Sequence, residues 1–165
     1  MEPINLSVDQ VLVILRERAK ELNCLYQVEE VLAGAESPLP EIFNALIRTI
    51  PSGWQYPDIC QARIVYRDTS YQGEAYVPTV WKDTAQIKEE DEVVGMLEVS
   101  YIREVPSVDD GYFLLKERKL IKTIADRIGQ TIFHRKLKGI LHEWETASRE
   151  LAEKKSREWM VITEL

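Results

Sequence analysis

The first 34 residues place apolar side chains at alternating steps of three and four, a spacing that predicts one long helix. Ser7 and Gln10 have the spacing of a capping box at its start, and Gly34 is expected to follow its end. Most of these apolar residues form one stripe along the helix. Leu25, Val28 and Leu32 form a second stripe next to it, so the helix has two apolar surfaces. One surface is expected to join a domain core and the other to meet a helix. The first stripe consists of Leu12, Leu15, Ala19, Leu22 and Tyr26.

A second, shorter helix is predicted after Ser37, the expected cap, with Pro38 at its first position. Beyond Gly53 the apolar period changes from about 3.6 to 2, which indicates strands. Alternating segments lie at 60–66, 71–77, 79–88 and 93–102, and the charge run 89–92 is interpreted as a solvated hairpin turn. The order of elements predicts an α+β domain with an antiparallel sheet. The inward face of the last strand is expected to carry Val93, Gly95, Leu97, Val99 and Tyr101.

The last third of the chain predicts one very long helix, from about Tyr112 to near Trp159, interrupted only by two tolerated glycines. Its first part has a broad apolar face suited to packing on a sheet. Its second part narrows to a stripe with steps of four and three, which is typical of a coiled-coil seam and predicts a parallel homodimer. The seam consists of Phe133, Leu137, Ile140, Trp144, Ala147 and Leu151.

These patterns divide the chain into three predicted parts. Residues 1–34 form an N-terminal helix for dimerisation or packing, residues 35–135 form the domain core, and residues 136–165 form a coiled-coil or linker helix. The sequence near Leu165 has no natural ending, as is expected of a fragment of a longer protein.

The charge of the chain argues against two classes of partner, and its cysteine content bears on the cellular compartment. The net charge of −7 and the scattered basic residues argue against nucleic acid and against an anionic membrane surface. Apolar runs are too short for membrane insertion, and the first residues do not resemble a secretory signal. Cys24 and Cys60 are the only cysteines. They are interpreted as small buried residues in a cytoplasmic protein, although a bridge between them is not excluded by sequence.

His142, followed by Glu143, is the strongest candidate for chemistry. A His-Glu pair on a helix resembles the phosphoacceptor of sensor histidine kinases, but the helix-bending proline of those proteins is missing here. His134 lies eight positions away and cannot share a metal ion with His142. Since phosphate-loop, nucleophile-elbow and dinucleotide motifs are absent from the sequence, no catalytic residue, metal or cofactor is predicted. We favour the interpretation of His142 as a surface residue on a connecting helix.

Four blocks of sequence stand out together: "RAKELNCLY" at 18–26, "IPSGWQYPDICQARIVY" at 50–66, "GMLEVSYI" at 95–102 and "FLLKERKLIKTIADRIGQTI" at 113–132. In this order they resemble a GAF-type sensory domain of bacterial and archaeal signalling proteins. The resemblance covers about Arg18 to Arg135, and "WQYP…AR" and "FLLKERKLI" are its more specific parts. The chain also resembles the amino-terminal segment of phosphoenolpyruvate synthase-like (pyruvate, water dikinase-like) proteins and domains found beside histidine kinase modules.

The resemblance implies an antiparallel sheet flanked by helices, a small-molecule cavity and dimerisation through terminal helices. The implied function is non-catalytic regulation, in which binding is relayed through the C-terminal helix to an effector. The alternatives are a ligand-free dimerisation domain and a part of a phosphotransferase or kinase. Signatures of cyclic-nucleotide-binding and bilin-binding members are not recognisable, so the ligand stays unidentified. The implied cavity lining, for which core packing is the alternative, is Tyr66, Tyr71, Tyr76, Trp81 and Leu97.

Overall fold

The structure is a computed structural model that describes residues 7–34, 36–107 and 111–163. The chain divides into two units, residues 1–130 and residues 131–165. The described part is α+β, with three α-helices and one four-stranded antiparallel sheet. The elements in chain order are α1 (Val8–Leu32), α2 (Leu39–Thr49), β1 (Cys60–Tyr66), β2 (Thr69–Gln72), β3 (Lys82–Glu89), β4 (Glu92–Tyr101) and α3 (Leu115–Thr163).

Helix α1 begins as the sequence predicts. The Ser7 hydroxyl accepts a hydrogen bond from the Gln10 backbone N–H at 3.3 Å, and the Gln10 side chain accepts one from the Ser7 N–H at 2.9 Å. This capping box satisfies two N–H groups that a helix start leaves without partners. Toward the end of α1 one face is buried, and it consists of Cys24, Val28 and Leu32.

Helix α2 starts one residue later than predicted. Pro38 occupies the cap position, and no side chain caps the helix, so the prediction that Ser37 is the cap is wrong. Proline fixes its own φ near the value that a helix requires and has no N–H to satisfy. The predicted inward face is confirmed, because Ile42, Phe43, Leu46, Ile47 and Ile50 are all buried.

The sheet has the strand order β2-β1-β4-β3, and all neighbouring strands are antiparallel. Strand β2 covers only part of the segment predicted as a strand, because it ends at Gln72. On one face, which we call the apolar face, Ile64, Leu97 and Ile87 are fully buried. The opposite, polar face carries side chains such as Arg63 and Glu98, which are register partners.

Strand β4 contains a β-bulge, and the bulge makes its inward face differ from the predicted one. The register between β3 and β4 shifts at Ile87/Lys88, so that Lys88 pairs with Val93 and Ile87 pairs with Gly95. The extra residue, Val94, is 7% exposed, whereas Val93 is 50% exposed. The prediction that Val93 lies inward is therefore wrong, because a bulge breaks the strict period of two. The predicted inward positions Leu97, Val99 and Tyr101 are buried.

Helix α3 is continuous over 49 residues. Within residues 1–130 it buries the broad apolar face that the sequence predicts, including Leu120, Ile124 and Ile128. Gly129 lies against β3, since a Cβ atom at this position would overlap the carbonyl oxygen of Lys88. The glycine therefore allows close approach of helix and strand. Within residues 131–165 the side chains from Lys136 to Val161 are exposed.

Candidate functional site

The polar face of the sheet carries a buried charged cluster centred on Glu98. This residue is 3% exposed, and its Oε2 atom lies 2.9 Å from Nη2 of Arg63 on the neighbouring strand. Its Oε1 atom accepts a hydrogen bond of 2.7 Å from the Tyr76 hydroxyl, which comes from the segment connecting β2 to β3. Burial and the Glu98 carboxylate raise the pKa of Tyr76. A buried carboxylate requires such partners, so the cluster holds the connecting segment against the sheet.

Gln61 provides a second tie to the same segment. Its side-chain amide accepts a hydrogen bond from the Val77 N–H at 3.1 Å and donates one to the Val77 carbonyl oxygen. The amide also donates to the hydroxyl of buried Ser100 at 3.0 Å. Because Gln61 satisfies both backbone groups of one residue, it fixes the connecting segment beside the start of β1.

A cleft of about 440 Å³ lies between the start of β1, the end of α2 and this connecting segment. This volume is within the range typical of small-molecule sites. Most of its walls are apolar. Two charged side chains, Arg48 from the end of α2 and Asp58 from the turn before β1, also line it. Gln61 and Tyr76 form the side that the polar network holds in place.

Cys60 is also among the residues that line the cleft. Burial and the nearby Glu117 raise the pKa of the Cys60 thiol far above its usual value. Burial likewise raises the pKa of Cys24, to about 11. Because the thiolate is the reactive form, both groups behave as neutral side chains. Neither cysteine forms a disulfide bond; Cys24 is buried, whereas Cys60 is partly exposed.

Glu117 connects the turn beside the cleft to the first turn of α3. It is 4% exposed, and its carboxylate accepts hydrogen bonds from three donors. They are the Gln55 N–H at 2.7 Å, the Leu114 N–H at 2.8 Å and the Tyr101 hydroxyl at 3.2 Å. Burial raises the pKa of Glu117, an effect that these donors oppose. One side chain thus joins three segments of the chain.

Aromatic rings reinforce this junction. The ring of Tyr101 stacks on Phe113 with centroids 5.1 Å apart, and Tyr56 meets Tyr101 edge to face at 5.7 Å. Tyr56 directly precedes the turn of Pro57, Asp58 and Ile59, which lines the cleft. Contacts therefore run without interruption from the cleft wall to the start of α3.

The structure does not gather the five predicted cavity residues into one site. Tyr66 and Tyr71 pack against the Phe43 ring, with centroids 5.5 Å and 5.0 Å away. Leu97 is fully buried on the apolar face. Tyr76 alone among the five lines the cleft of about 440 Å³. Trp81 precedes β3 and its carbonyl oxygen accepts a hydrogen bond from the Tyr101 N–H at 2.9 Å.

Sequence reasoning overlooked the residues that build the cleft. Gln61 and Arg63 alternate with the apolar residues of β1, a pattern that indicates a half-buried strand and no site. A carboxylate inside the otherwise apolar segment 93–101 was the available indication, because a charge in such a position needs a partner.

The predicted dimer residues are present on exposed helix surfaces. On α1, Leu12, Leu15 and Leu22 are 54%, 58% and 61% exposed. On α3, Phe133 is half-buried. The remaining predicted seam residues with large side chains are Leu137, Ile140, Trp144 and Leu151, which are 41%, 60%, 72% and 60% exposed.

His142 is exposed on α3, and its carbonyl oxygen accepts a hydrogen bond from the Thr146 hydroxyl at 2.9 Å. Among the residues that the structure describes, no three His, Cys, Asp or Glu side chains converge as ligands for a metal ion. None of the helices in the described ranges combines the length and apolar character that crossing a membrane requires.

Comparison with known proteins yields no family: no family model matches the chain, and no curated protein matches it.

Proposed function

We propose that this chain is a GAF-type regulatory domain without catalytic activity of its own. It binds a small molecule in the cleft beside β1, forms a parallel homodimer through its terminal helices, and passes the effect of binding along α3 to an attached effector. The resemblance of residues 18–135 to GAF domains supports this proposal, together with the α+β order of the elements.

Helix α3 carries the proposal. It is one uninterrupted helix, with a buried face among residues 115–130 and an exposed apolar stripe from Leu137 to Leu151. Isolated exposed apolar residues need no explanation, but a stripe with the spacing of a coiled-coil seam is a surface for a second helix. A domain whose last helix continues into a dimer seam has a direct means of influencing an effector attached to that helix.

The junction at Glu117 supports the relay. Because Glu117 bonds both to Gln55 and to Leu114, movement of the turn beside the cleft changes the environment of the first turn of α3. A ligand that prefers one arrangement of this junction biases the population of both ends.

The second candidate function is a structural dimerisation domain without a ligand. The exposed apolar stripe on α1 favours it, because this stripe calls for a helical partner whether or not the cleft is occupied. A thermal-shift screen against metabolites separates the two functions. A ligand that binds the folded state raises the melting temperature, and a flat response to every compound favours the structural role.

An enzymatic alternative remains testable at His142. If the chain is a domain of a phosphoenolpyruvate synthase-like phosphotransferase or of a histidine kinase, incubation with phosphate-labelled phosphoenolpyruvate or ATP transfers the labelled phosphate to it. We expect no label on this chain. Label that disappears in His142→Gln would establish the enzymatic alternative in place of the regulatory function.

Sedimentation tests the dimer directly. We expect the chain to sediment as a dimer, and Ile140→Glu to shift it to monomer, because the change places a charge in the proposed seam. Thr146→Glu adds the same charge to an exposed position of α3 outside the seam and serves as the matched control. A chain that stays monomeric at high micromolar concentration contradicts the proposal. Circular dichroism shows whether the variants keep their helix content.

A further inference from the structure

Most polar groups that line the cleft already have partners within the protein. The Gln61 amide is occupied by Val77 and Ser100, and the Tyr76 hydroxyl donates to Glu98. The Cys60 thiol is neutral, since burial raises its pKa. A ligand in this cleft must therefore find its polar partners elsewhere on the wall.

Arg48 and Asp58 are the remaining polar side chains of the lining. They carry opposite charges and border the same cleft, yet they do not form an ion pair with each other. Within the described ranges, neither of them has an ion-pair or hydrogen-bond partner in the protein. Both residues are exposed to solvent. As far as the described residues show, the cleft thus presents a cation and an anion that no protein group pairs.

The rest of the wall consists of aliphatic and proline side chains and Gly73. A ligand that matches this wall has an apolar body with one negative and one positive group. Arg offers a planar fork that suits a carboxylate, and Asp accepts hydrogen bonds from an ammonium group. The apolar part of the lining includes Ile47, Pro51, Ile59, Ala62 and Ile102.

We propose that this cleft binds a free α-amino acid with an apolar side chain, an inference that rests on the proposed ligand-binding function. Arg48 binds the α-carboxylate, Asp58 binds the α-ammonium group, and the aliphatic wall covers the side chain. A carboxylic acid without the ammonium group leaves Asp58 unpaired beside a second negative charge. An amine without the carboxylate leaves Arg48 without a partner. The zwitterion satisfies both charges at once.

Calorimetric titration of the full chain tests the ligand class. The probes are L-leucine and L-phenylalanine, with 4-methylpentanoate and 3-methylbutylamine as analogues of leucine that lack one charged group. We expect at least one amino acid to bind, and both analogues to bind about tenfold more weakly or worse, since each loses a charge-assisted hydrogen bond. Equal binding of an amino acid and its analogue overturns the proposal, as does the absence of binding by both amino acids.

Two substitutions assign the charges. Arg48→Gln is expected to weaken binding of the amino acid and of 4-methylpentanoate about tenfold, without weakening binding of the amine. Asp58→Asn is expected to weaken binding of the amino acid and of the amine, without weakening binding of the acid. Arg16→Gln and Asp126→Asn remove the same charges from exposed positions and are the matched controls. If the two cleft variants behave like their controls, the assignment is wrong.

The outcome for the ligand is separate from the outcome for the regulatory function. A chain that dimerises and responds to another metabolite in the thermal-shift screen, but binds neither amino acid, refutes the ligand class alone. A chain that binds L-leucine but sediments as a monomer, with and without the ligand, supports the ligand class and contradicts the dimeric relay.

Discussion

Two glycines of α3 have opposite surroundings, although the sequence presents them alike. A Cβ atom at Gly129 would overlap the Lys88 carbonyl oxygen, whereas nothing lies within 4 Å of a Cβ atom built at Gly139. We expect Gly129→Ala to lower the free energy of unfolding by about 1–3 kcal/mol through overpacking. Gly139→Ala is expected to raise it by about 0.5–1 kcal/mol, because alanine restricts the unfolded chain and favours a helix.

Urea unfolding of the two alanine variants, followed by tryptophan fluorescence, measures both changes. Each variant is the control for the other, since both replace glycine by alanine in the same helix. Equal effects of the two substitutions would show that Gly129 does not allow the close approach of α3 and β3.

The raised pKa of Glu117 should make the free energy of unfolding depend on pH. Its pKa is raised in the folded state, mainly by burial, so the folded protein binds this proton more tightly than the unfolded chain. The stabilisation is fully present below the unfolded pKa and is lost as pH rises through the folded pKa. We therefore expect the free energy of unfolding of the wild type to fall, relative to that of Glu117→Gln, as pH rises through this range.

Denaturant unfolding at a series of pH values compares wild type, Glu117→Gln and the exposed-site control Glu150→Gln. At low pH the glutamine variant is expected to be less stable than wild type by about 1–3 kcal/mol, because an amide does not reproduce the contacts of the carboxyl group to three donors. A difference between wild type and Glu117→Gln that stays constant with pH contradicts the prediction.

At the scale of elements, the bulge in β4 decides which valine belongs to the core. Val94 is 7% exposed and Val93 is 50% exposed. We therefore expect Val94→Ala to cost roughly 1–3 kcal/mol of unfolding free energy, since it leaves a cavity. Val93→Ala is expected to change stability by less than about 0.5 kcal/mol. Thermal or urea unfolding of the pair measures the contrast, and a larger loss at Val93 would place the register shift elsewhere.

Most elements were predictable because their signals are local. The capping box of Ser7 and Gln10 and the buried face of α2 depend on neighbours within a few residues, and the structure confirms them. The errors arise where tertiary contacts decide. The bulge that turns Val93 outward depends on β3, and the early end of β2 depends on pairing with β1. Neither is encoded in the period of one segment.

The candidate site was less predictable than the fold. It combines Arg48, Asp58 and Gln61, which come from α2, a turn and β1. The spacing of residues within one segment does not predict that side chains from three segments meet. In addition, an isolated Arg or Asp is usually solvated. The predicted cavity lining consists mainly of aromatic residues, but Tyr66 and Tyr71 pack against Phe43. Of the five predicted cavity residues, Tyr76 alone lines this cleft.

At the scale of the whole molecule, charge is unevenly distributed. Residues 131–165 contain seven Lys and Arg and six Asp and Glu, a net charge of +1. Since the whole chain has a net charge of −7, residues 1–130 carry −8. The segment that contains the proposed seam is thus nearly neutral, while the remainder is strongly acidic. In the proposed dimer, we expect the acidic residues 1–130 of the two copies to repel each other even if the seams attract.

Salt therefore distinguishes an apolar seam from one held by ion pairs. Raising the ionic strength from about 0.02 M to about 0.3 M shortens the screening length several-fold and weakens repulsion between the acidic parts. Burial of Leu137 and Ile140 in a seam is not weakened by salt. We expect the dimer dissociation constant, measured by sedimentation, to fall by about a few-fold over this range. A dissociation constant that rises with salt would mean that ion pairs, rather than the apolar stripe, join the two copies.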